Sequence, residues 1–308
     1  MAVACDALPK GWNTLAMLWN ALATVILAMS VAETPAAANP HGPWGRPEAV
    51  AIEGYAGHAM EPFISCDGKV LLFNDRNSPS DQTDLHWAES VTDIQFRYSG
   101  RIKGANGDAL DAVPSMDCQG DLFFVSTRTY FQTRSTIYRA RFNGGSVRDA
   151  RVVPGLATAK IGLLIFDAEI SPDGASLYAA EGTYDALGGP WSADLFLAER
   201  NAVGFSKSSR SSRLLAKINT DQREYAPSLS HDGLELFFTR LSGWSIWPTL
   251  TIEHATRNTA TDAWGPSRTI ASITGFVEAP SVSRDGRRLY FHMKMEDGMH
   301  RIFLVRRN

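Results

Sequence analysis

The sequence predicts an all-β fold in which one four-strand unit repeats five times. Three observations predict it. A motif of the form Pro-x-x-Ser-x-Asp-Gly recurs five times, and its glycines, Gly68, Gly120, Gly174, Gly233 and Gly286, are spaced by 52, 54, 59 and 53 residues. A short apolar run follows every copy, as a strand following a tight turn would. A third run and a weaker fourth then complete each repeat before the next copy begins.

The elements follow in order. The first strand of each repeat ends at Ser65, Asp117, Ser171, Ser230 and Ser283, and the Asp-Gly step supplies the positive φ that a hairpin turn needs. The second strands are Val70–Phe73, Leu122–Val125, Leu177–Tyr178, Leu236–Phe238 and Leu289–Phe291. The third are Leu85–Ala88, Ile137–Ala140, Leu195–Ala198, Ile252–Ala255 and Ile302–Val305. The fourth segments are led by Trp44, Phe96, Val147, Phe205 and Trp264, with Asn143-Gly144-Gly145 as one third-to-fourth turn. The first of these precedes the first motif copy, and the last repeat lacks a fourth segment. Pairing residues 46–53 with the strand at 301–306 then closes the ring and removes its exposed edges. Four-stranded antiparallel units repeated radially make a β-propeller, here five-bladed and closed by pairing the N-terminal strand with the C-terminal blade. An open solenoid of five hairpin units is the competing arrangement.

Composition narrows the function. The 308 residues are 44% hydrophobic and 20% charged, which supports a large core and excludes global disorder. Thirty Lys and Arg against 33 Asp and Glu give a net charge of −3, so nothing draws nucleic acid electrostatically. Three cysteines exclude a disulfide-rich scaffold and a four-cysteine zinc site.

Residues 1–38 read as a signal peptide and linker, and 39–308 as the propeller domain. Lys10 precedes an apolar run from Thr14 to Ala32, and Ser30-Val31-Ala32 and Ala36-Ala37-Ala38 offer small-residue cleavage sites. The run is long for a signal peptide, so an uncleaved anchor stays open. Cys5 lies upstream of the run and is not placed as a lipoprotein acceptor. The mature chain is expected in the periplasm or secreted, with membrane contact only if the segment is uncleaved.

The recurring Pro-x-x-Ser-x-Asp-Gly-x-x-Leu-Tyr/Phe-Phe pattern resembles the WD40-like PD40 repeat of TolB-like propellers over residues 44–308. Gln119 replaces the motif Asp in the second copy, and Ala168 replaces the Pro in the third. The resemblance implies a propeller and leaves function open, since such propellers serve as binding platforms, peptidase gates and glycan-active enzymes.

Long loops between second and third strands, at 74–84, 126–135, 180–193, 239–249 and 292–300, mark one face as the working face. Carboxylates recur where the innermost strands begin. Glu61 and Asp167 stand immediately before the Pro position, Glu278 two before, Asp111 and Glu224 three before, and Glu169 one after. All five repeats are therefore expected to send acids toward one axis. Asp75, Arg76, Arg128, Glu181, Arg240 and Lys294 follow the second strands, with His58, Tyr130, Phe131, Tyr184, Trp191, Trp244 and Trp247 around them. These acids either pair with the arginines and backbone amides or form a catalytic pocket.

Two functional expectations follow. The first is a noncatalytic platform binding a protein or glycan ligand through His58, Asp75, Arg76, Asp111, Arg128, Glu169, Glu181, Glu224, Tyr225, Arg240, Trp244 and Glu278. The alternative is a carbohydrate-active enzyme, a glycoside hydrolase or lyase, with Glu61 and Asp167 as catalytic acids. A structural envelope component held by an uncleaved N-terminal helix is a third. No cofactor or metal is expected, because the histidines show no ligand spacing. Cys66 and Cys118 hold the same turn position in adjacent repeats and are expected as free thiols, too far apart to bridge. The stretch from Ser206 to Ser212 reads as a solvated loop.

Overall fold

The computed structural model describes residues 42–76, 82–186, 188–243 and 248–307. The expected signal segment, Trp244 and Trp247 lie outside these residues. Among the described residues, no helix is long and apolar enough to cross a membrane.

The chain opens with β1 (Glu48–Ala49) and β2 (Ala51–Glu53). The first repeat follows as β3 (Met60–Ile64), β4 (Val70–Asn74), β5 (Leu85–Thr92) and β6 (Gln95–Arg101). The second is β7 (Asp111–Met116), β8 (Asp121–Ser126), a turn of helix α1 (Tyr130–Thr133), β9 (Ile137–Asn143) and β10 (Ser146–Val152). The third is β11 (Leu163–Ile170), β12 (Ser176–Asp185), β13 (Gly188–Arg200) and β14 (Phe205–Lys207), followed by α2 (Ser211–Leu214). The fourth is β15 (Arg223–Leu229), β16 (Glu235–Ser242), β17 (Thr249–Thr256) and β18 (Arg268–Thr269). The last is β19 (Phe276–Val282), β20 (Arg288–Lys294) and β21 (His300–Arg306).

Within each repeat the strands pair antiparallel in sequence order, and the third and fourth repeats join through one parallel contact, Ala193 with Arg223. The last repeat takes its fourth strand from the N-terminus, as its missing segment predicts: Glu48 pairs with Leu304 and Ala49 with Phe303. β2 then runs parallel to β6, with Ile52 opposite Phe96.

The motif builds its turn from local hydrogen bonds. Ser65 Oγ donates to Asp67 Oδ1 at 2.6 Å and accepts from the Val70 amide at 3.0 Å, while Asp67 accepts from the Lys69 amide at 3.1 Å. The third, fourth and fifth copies repeat this at Ser171–Asp173, Ser230–Asp232 and Ser283–Asp285. In the second copy Asp117, at the serine position, takes the Gln119 and Asp121 amides itself. That substitution explains how the turn tolerates Gln119. Gly68 has φ 70°, which a side chain would resist.

The second strands are buried on both faces, so they read as continuous apolar runs rather than alternating ones. Leu72 packs toward the second repeat, whereas Leu71 and Phe73 pack toward the last. Phe123 faces the third repeat, and Phe237 faces the last. Tyr290 of the last repeat shares a cluster with Ile64 and Phe73 of the first. Neighbouring repeats thus pack their sheets against one another.

Three expectations need correction here. Cys66 and Cys118 are joined in a disulfide with their Cα atoms 5.4 Å apart. The innermost strands converge at the turn end, so equivalent positions of neighbouring repeats come within bridging distance there. The expected long loop at 180–193 is largely an extension of the β12–β13 hairpin, with Thr183 still opposite Ser192. The Ser206–Ser212 stretch is not a free loop: it carries β14 and the start of α2, and Ser211 Oγ accepts the Leu197 amide at 2.9 Å.

Candidate functional site

Every innermost strand carries a β-bulge at or beside the residue before the Pro position. Glu61, Val113, Ala226 and Ala279 all sit there with φ near 50°, in the left-handed region. The following proline has no amide to give the ladder, and a bulge absorbs that gap. The bulge also frees the amide of the residue before proline, and the preceding repeat supplies an acceptor for it. Asn74 Oδ1 accepts from Val113 at 3.0 Å, Thr239 Oγ1 from Ala279 at 3.0 Å, and His292 Nδ1 from Glu61 at 3.1 Å. In the third repeat that acceptor position is the apolar Ala180, and Asp167 Oδ2 instead accepts the Ala226 amide at 3.3 Å.

Bulges re-aim side chains, and here they sort the acids. Glu61, Asp167 and Glu278, from three different repeats, line one pocket on the long-loop face, a cavity of about 410 Å³. Phe166, Tyr184, Tyr225, Phe276 and Pro190 form much of its wall, and Lys294 and His300 also line it. Asp111 and Glu224, three before the Pro position, do not join this cluster. Both are fully buried against arginines: Arg128 Nη2 lies 2.5 Å from Asp111, and Arg240 Nε lies 2.8 Å from Glu224. Arg240 also reaches Glu253 at 3.0 Å and the Ile218 carbonyl at 3.0 Å. The expected convergence of all five acid positions is therefore corrected to three. The strand register explains the rest, because Glu224 stands directly opposite Arg240.

The remaining candidates divide in the same way. Glu169 lies on the axis below the pocket, partly buried, where desolvation outweighs its hydrogen bonds with Ser115 and the Leu229 amide and pushes its carboxyl up to about 8. Asp75 accepts the Asp84 amide at 3.0 Å and faces His86 at 3.6 Å. The Arg76 carbonyl accepts from the Asn74 side chain. Glu181 pairs with Lys207 at 2.8 Å. Tyr130 is buried, and its hydroxyl donates to the Leu163 carbonyl at 3.0 Å. Phe131 and Trp191 stay exposed, at 78% and 52%. Trp244 cannot be placed, since it lies outside the described residues.

Electrostatics divide the three pocket carboxylates. Burial first, and then the charges of Glu61 and Glu278, hold the Asp167 carboxyl well above the usual range. Burial alone would raise Glu278 too, but His292 and the Tyr225 hydroxyl outweigh it and hold it below its ordinary value. Tyr225 Oη donates to Glu278 Oε1 at 2.5 Å, and His292 Nε2 faces Oε2 at 3.4 Å. Since Nδ1 of His292 accepts the Glu61 amide, the ring proton of the neutral imidazole sits on Nε2, the nitrogen 3.4 Å from Glu278. The site thus pushes two neighbouring carboxyls in opposite directions, an arrangement suited to acid–base chemistry.

The spacing of the histidines concealed a cluster. His58 Nδ1 lies 3.2 Å from His300 Nδ1, and the His292 and His300 ring centres are 5.6 Å apart. Burial, with His292 and His58 beside it, lowers the His300 imidazole to about 4, so it is neutral at ordinary pH. One signal was present in the sequence: His292 occupies the second-strand end held by Asn74 and Thr239 in other repeats.

No protein-family model matches the chain, and no curated protein matches it in sequence. Solved structures do resemble it. One is described as a glycoside hydrolase, with TM-score 0.59 and 10% identity over 86% of this chain and 91% of that one. Another is a putative exo-β-1,3-galactanase from Bifidobacterium bifidum s17, with TM-score 0.53 and 11% identity over 85% and 92%. TolB from Acinetobacter baumannii aligns at TM-score 0.44 and 13% identity over 80% of this chain, which spans about half of that longer protein, 54%. At such identities the first two establish likeness of fold alone, and together with the strand order and the mutual packing of the sheets they make this chain a β-propeller.

Proposed function

We propose that this chain is an exported, closed five-bladed propeller of PD40-type repeats that hydrolyses a glycosidic bond in the pocket above its axis. One observation carries the reading: Glu61, Asp167 and Glu278 meet in one pocket, where burial and neighbouring charge raise the Asp167 carboxyl while His292 and Tyr225 lower that of Glu278. Asp167 is the general acid that protonates the departing glycosidic oxygen. Glu278, oriented by Tyr225 and His292, attacks the anomeric carbon or draws a proton from the attacking water. Glu61 supplies negative charge that keeps the Asp167 proton in place. The aromatic wall of Phe166, Tyr184, Tyr225 and Phe276 offers faces on which sugar rings stack.

The five-bladed ring is supported by the five inter-repeat clusters, including Tyr290 against the first repeat, and by the β1–β21 pairing. The disulfide between Cys66 and Cys118 supports an oxidising compartment outside the cytoplasm. A second reading, the noncatalytic platform, is favoured by the exposed Phe131 and Trp191 on the long-loop face, which would dock a protein or glycan ligand.

The test is turnover of a panel of neutral and uronic-acid oligosaccharides, read by mass spectrometry, with Asp167→Asn and Glu278→Gln alongside. Product from the wild type, lost in variants whose circular dichroism is unchanged, is the expected result. A wild type that converts nothing in the panel but binds one of its members would overturn the enzyme reading in favour of the platform.

A further inference from the structure

The register of the last repeat arranges its pocket side chains in two rows. Glu278 of β19 stands opposite His292 of β20. Two residues nearer the long-loop rim, Phe276 stands opposite Lys294, and Lys294 opposite His300 of β21. Side chains two apart on a strand share a face, so this outer row lies one pleat repeat, about 7 Å, beyond the Glu278 row. Phe276, Lys294 and His300 all line the pocket that holds Glu278.

The outer row offers one cation and one acceptor. Lys294 is exposed, and its ammonium lies 5.7 Å from the centre of the Phe276 ring. Among the described residues no carboxylate pairs with it. His300 presents a lone pair. His58 Nδ1 accepts the His300 backbone amide at 3.3 Å and so carries no proton. The 3.2 Å contact between the two Nδ1 atoms then needs the proton on His300. In the neutral imidazole this leaves His300 Nε2 bare, and among the described residues no donor reaches it.

We propose that this row is a subsite for a uronic acid, whose carboxylate pairs with Lys294 and whose C4 hydroxyl donates to His300 Nε2. The assignment rests on the hydrolase reading of the same pocket for the placement of the anomeric carbon. In a uronic acid C5 bears the carboxylate, next to C4, and C4 lies across the ring from the anomeric carbon. One ring thus presents both groups to the outer row while its anomeric carbon faces Glu278 in the inner row. A bare imidazole nitrogen repels a carboxylate and accepts a hydroxyl proton, which decides which group meets which residue. The Glu278 charge opposes an anionic ligand, and distance decides between the two effects. Coulomb energy falls with separation, so a carboxylate about 3 Å from Lys294 gains more than it loses to a charge about 7 Å away. A neutral hexose puts a hydroxymethyl group in the same place and forgoes the ion pair.

The full-length chain is titrated calorimetrically with methyl 1-thioglycosides, which resist hydrolysis. Glucuronide and galacturonide, in both anomers, are each compared with the neutral hexoside and its 6-sulfate. The matching 4-nitrophenyl O-glycosides report turnover. A uronide should bind at least about tenfold tighter than its neutral counterpart. Lys294→Met should lower that ratio by about tenfold, and His300→Phe should abolish the preference for a uronide over its 4-deoxy analogue. Hexosides bound as tightly as uronides, or no member bound, would overturn the subsite, and cleavage of a hexoside would then leave the hydrolase reading standing. A uronide that binds through Lys294 and is not cleaved overturns that reading and upholds the subsite. A preference that survives in folded Lys294→Met overturns the role of Lys294, and a 6-sulfate bound more tightly than the uronide overturns the choice of a carboxylate.

Discussion

The Tyr225 hydroxyl lies 2.5 Å from Glu278 Oε1, joining the fourth and fifth repeats across the pocket. Burial, and then the Glu278 charge, keep the phenol far above its ordinary value, so it stays a donor. Tyr225→Phe removes one hydrogen bond to a charged group, worth about 1.5–3 kcal/mol. The Glu278 pKa should then rise. Activity that depends on ionised Glu278 is lost as pH falls through its pKa, so the acid limb of kcat/KM should move upward. An acid limb that stays in place in Tyr225→Phe would remove Glu278 from the catalytic role.

Asp167 gives the opposite limb. Its carboxyl is raised by burial and by the charges of Glu61 and Glu278, and it must be protonated to act as an acid. Activity should therefore persist below its pKa and disappear as pH rises through it. Asp167→Asn keeps an acceptor for the Ala226 amide, so the fold should survive. The rate should fall by about 10²–10⁴ and lose its basic limb. A folded variant with wild-type turnover would show that Asp167 serves only the Ala226 amide.

Glu169 makes a prediction about stability alone. Burial raises its carboxyl from an ordinary 4.5 to about 8. A raised folded-state pKa means the folded chain keeps a proton that the unfolded chain releases. This contribution is fully present below about pH 4.5 and is lost as pH rises to about 8, a change on the order of 5 kcal/mol. Glu169→Gln, which cannot ionise, should match the wild type near pH 5 and unfold at higher denaturant near pH 8. Equal pH dependence in both proteins, measured by urea unfolding, would rule out Glu169 as its source.

The sequence revealed what local hydrogen bonds encode. Ser65, Asp67 and Gly68 close their own turn, so the motif could be read five times and the strand order followed from it. The unpaired Trp44 segment likewise announced the β1–β21 pairing, now seen at Glu48 and Leu304. The acids were harder, because a one-residue offset beside a bulge changes the face on which a side chain lies. Asp111 and Glu224 belong with Arg128 and Arg240 across a hairpin, while Glu278, one residue nearer the Pro position, reaches the pocket. That distinction needs the register, which composition and spacing do not state. The disulfide escaped for a related reason, since only the convergence of β3 and β7 brings Cys66 and Cys118 within 5.4 Å.

The disulfide also stands where another bond is missing. Ser115 Oγ accepts the Ile170 amide, Ser228 Oγ the Val282 amide and Ser281 Oγ the Ile64 amide, each tying one innermost strand to the next. Glu169 does the same for Leu229. In the first repeat that position is Phe63, which has no polar atom to offer, and the Cys66–Cys118 bond spans that junction instead. Closing a chain segment of 52 residues restricts the unfolded chain, and disulfides of this kind contribute about 2–4 kcal/mol. Cys66→Ser/Cys118→Ser should therefore cost about 2–4 kcal/mol, measured by urea unfolding. Ser228→Ala, which strands one buried amide, should cost only about 1–3 kcal/mol. The cost of Ser228→Ala relative to the wild type should be the same with and without reductant, whereas the loss in the cysteine variant should be reproduced in the wild type by reduction alone. A reduced wild type as stable as the oxidised one would mean that packing of Phe63 against Leu72 and Met116 already secures the junction.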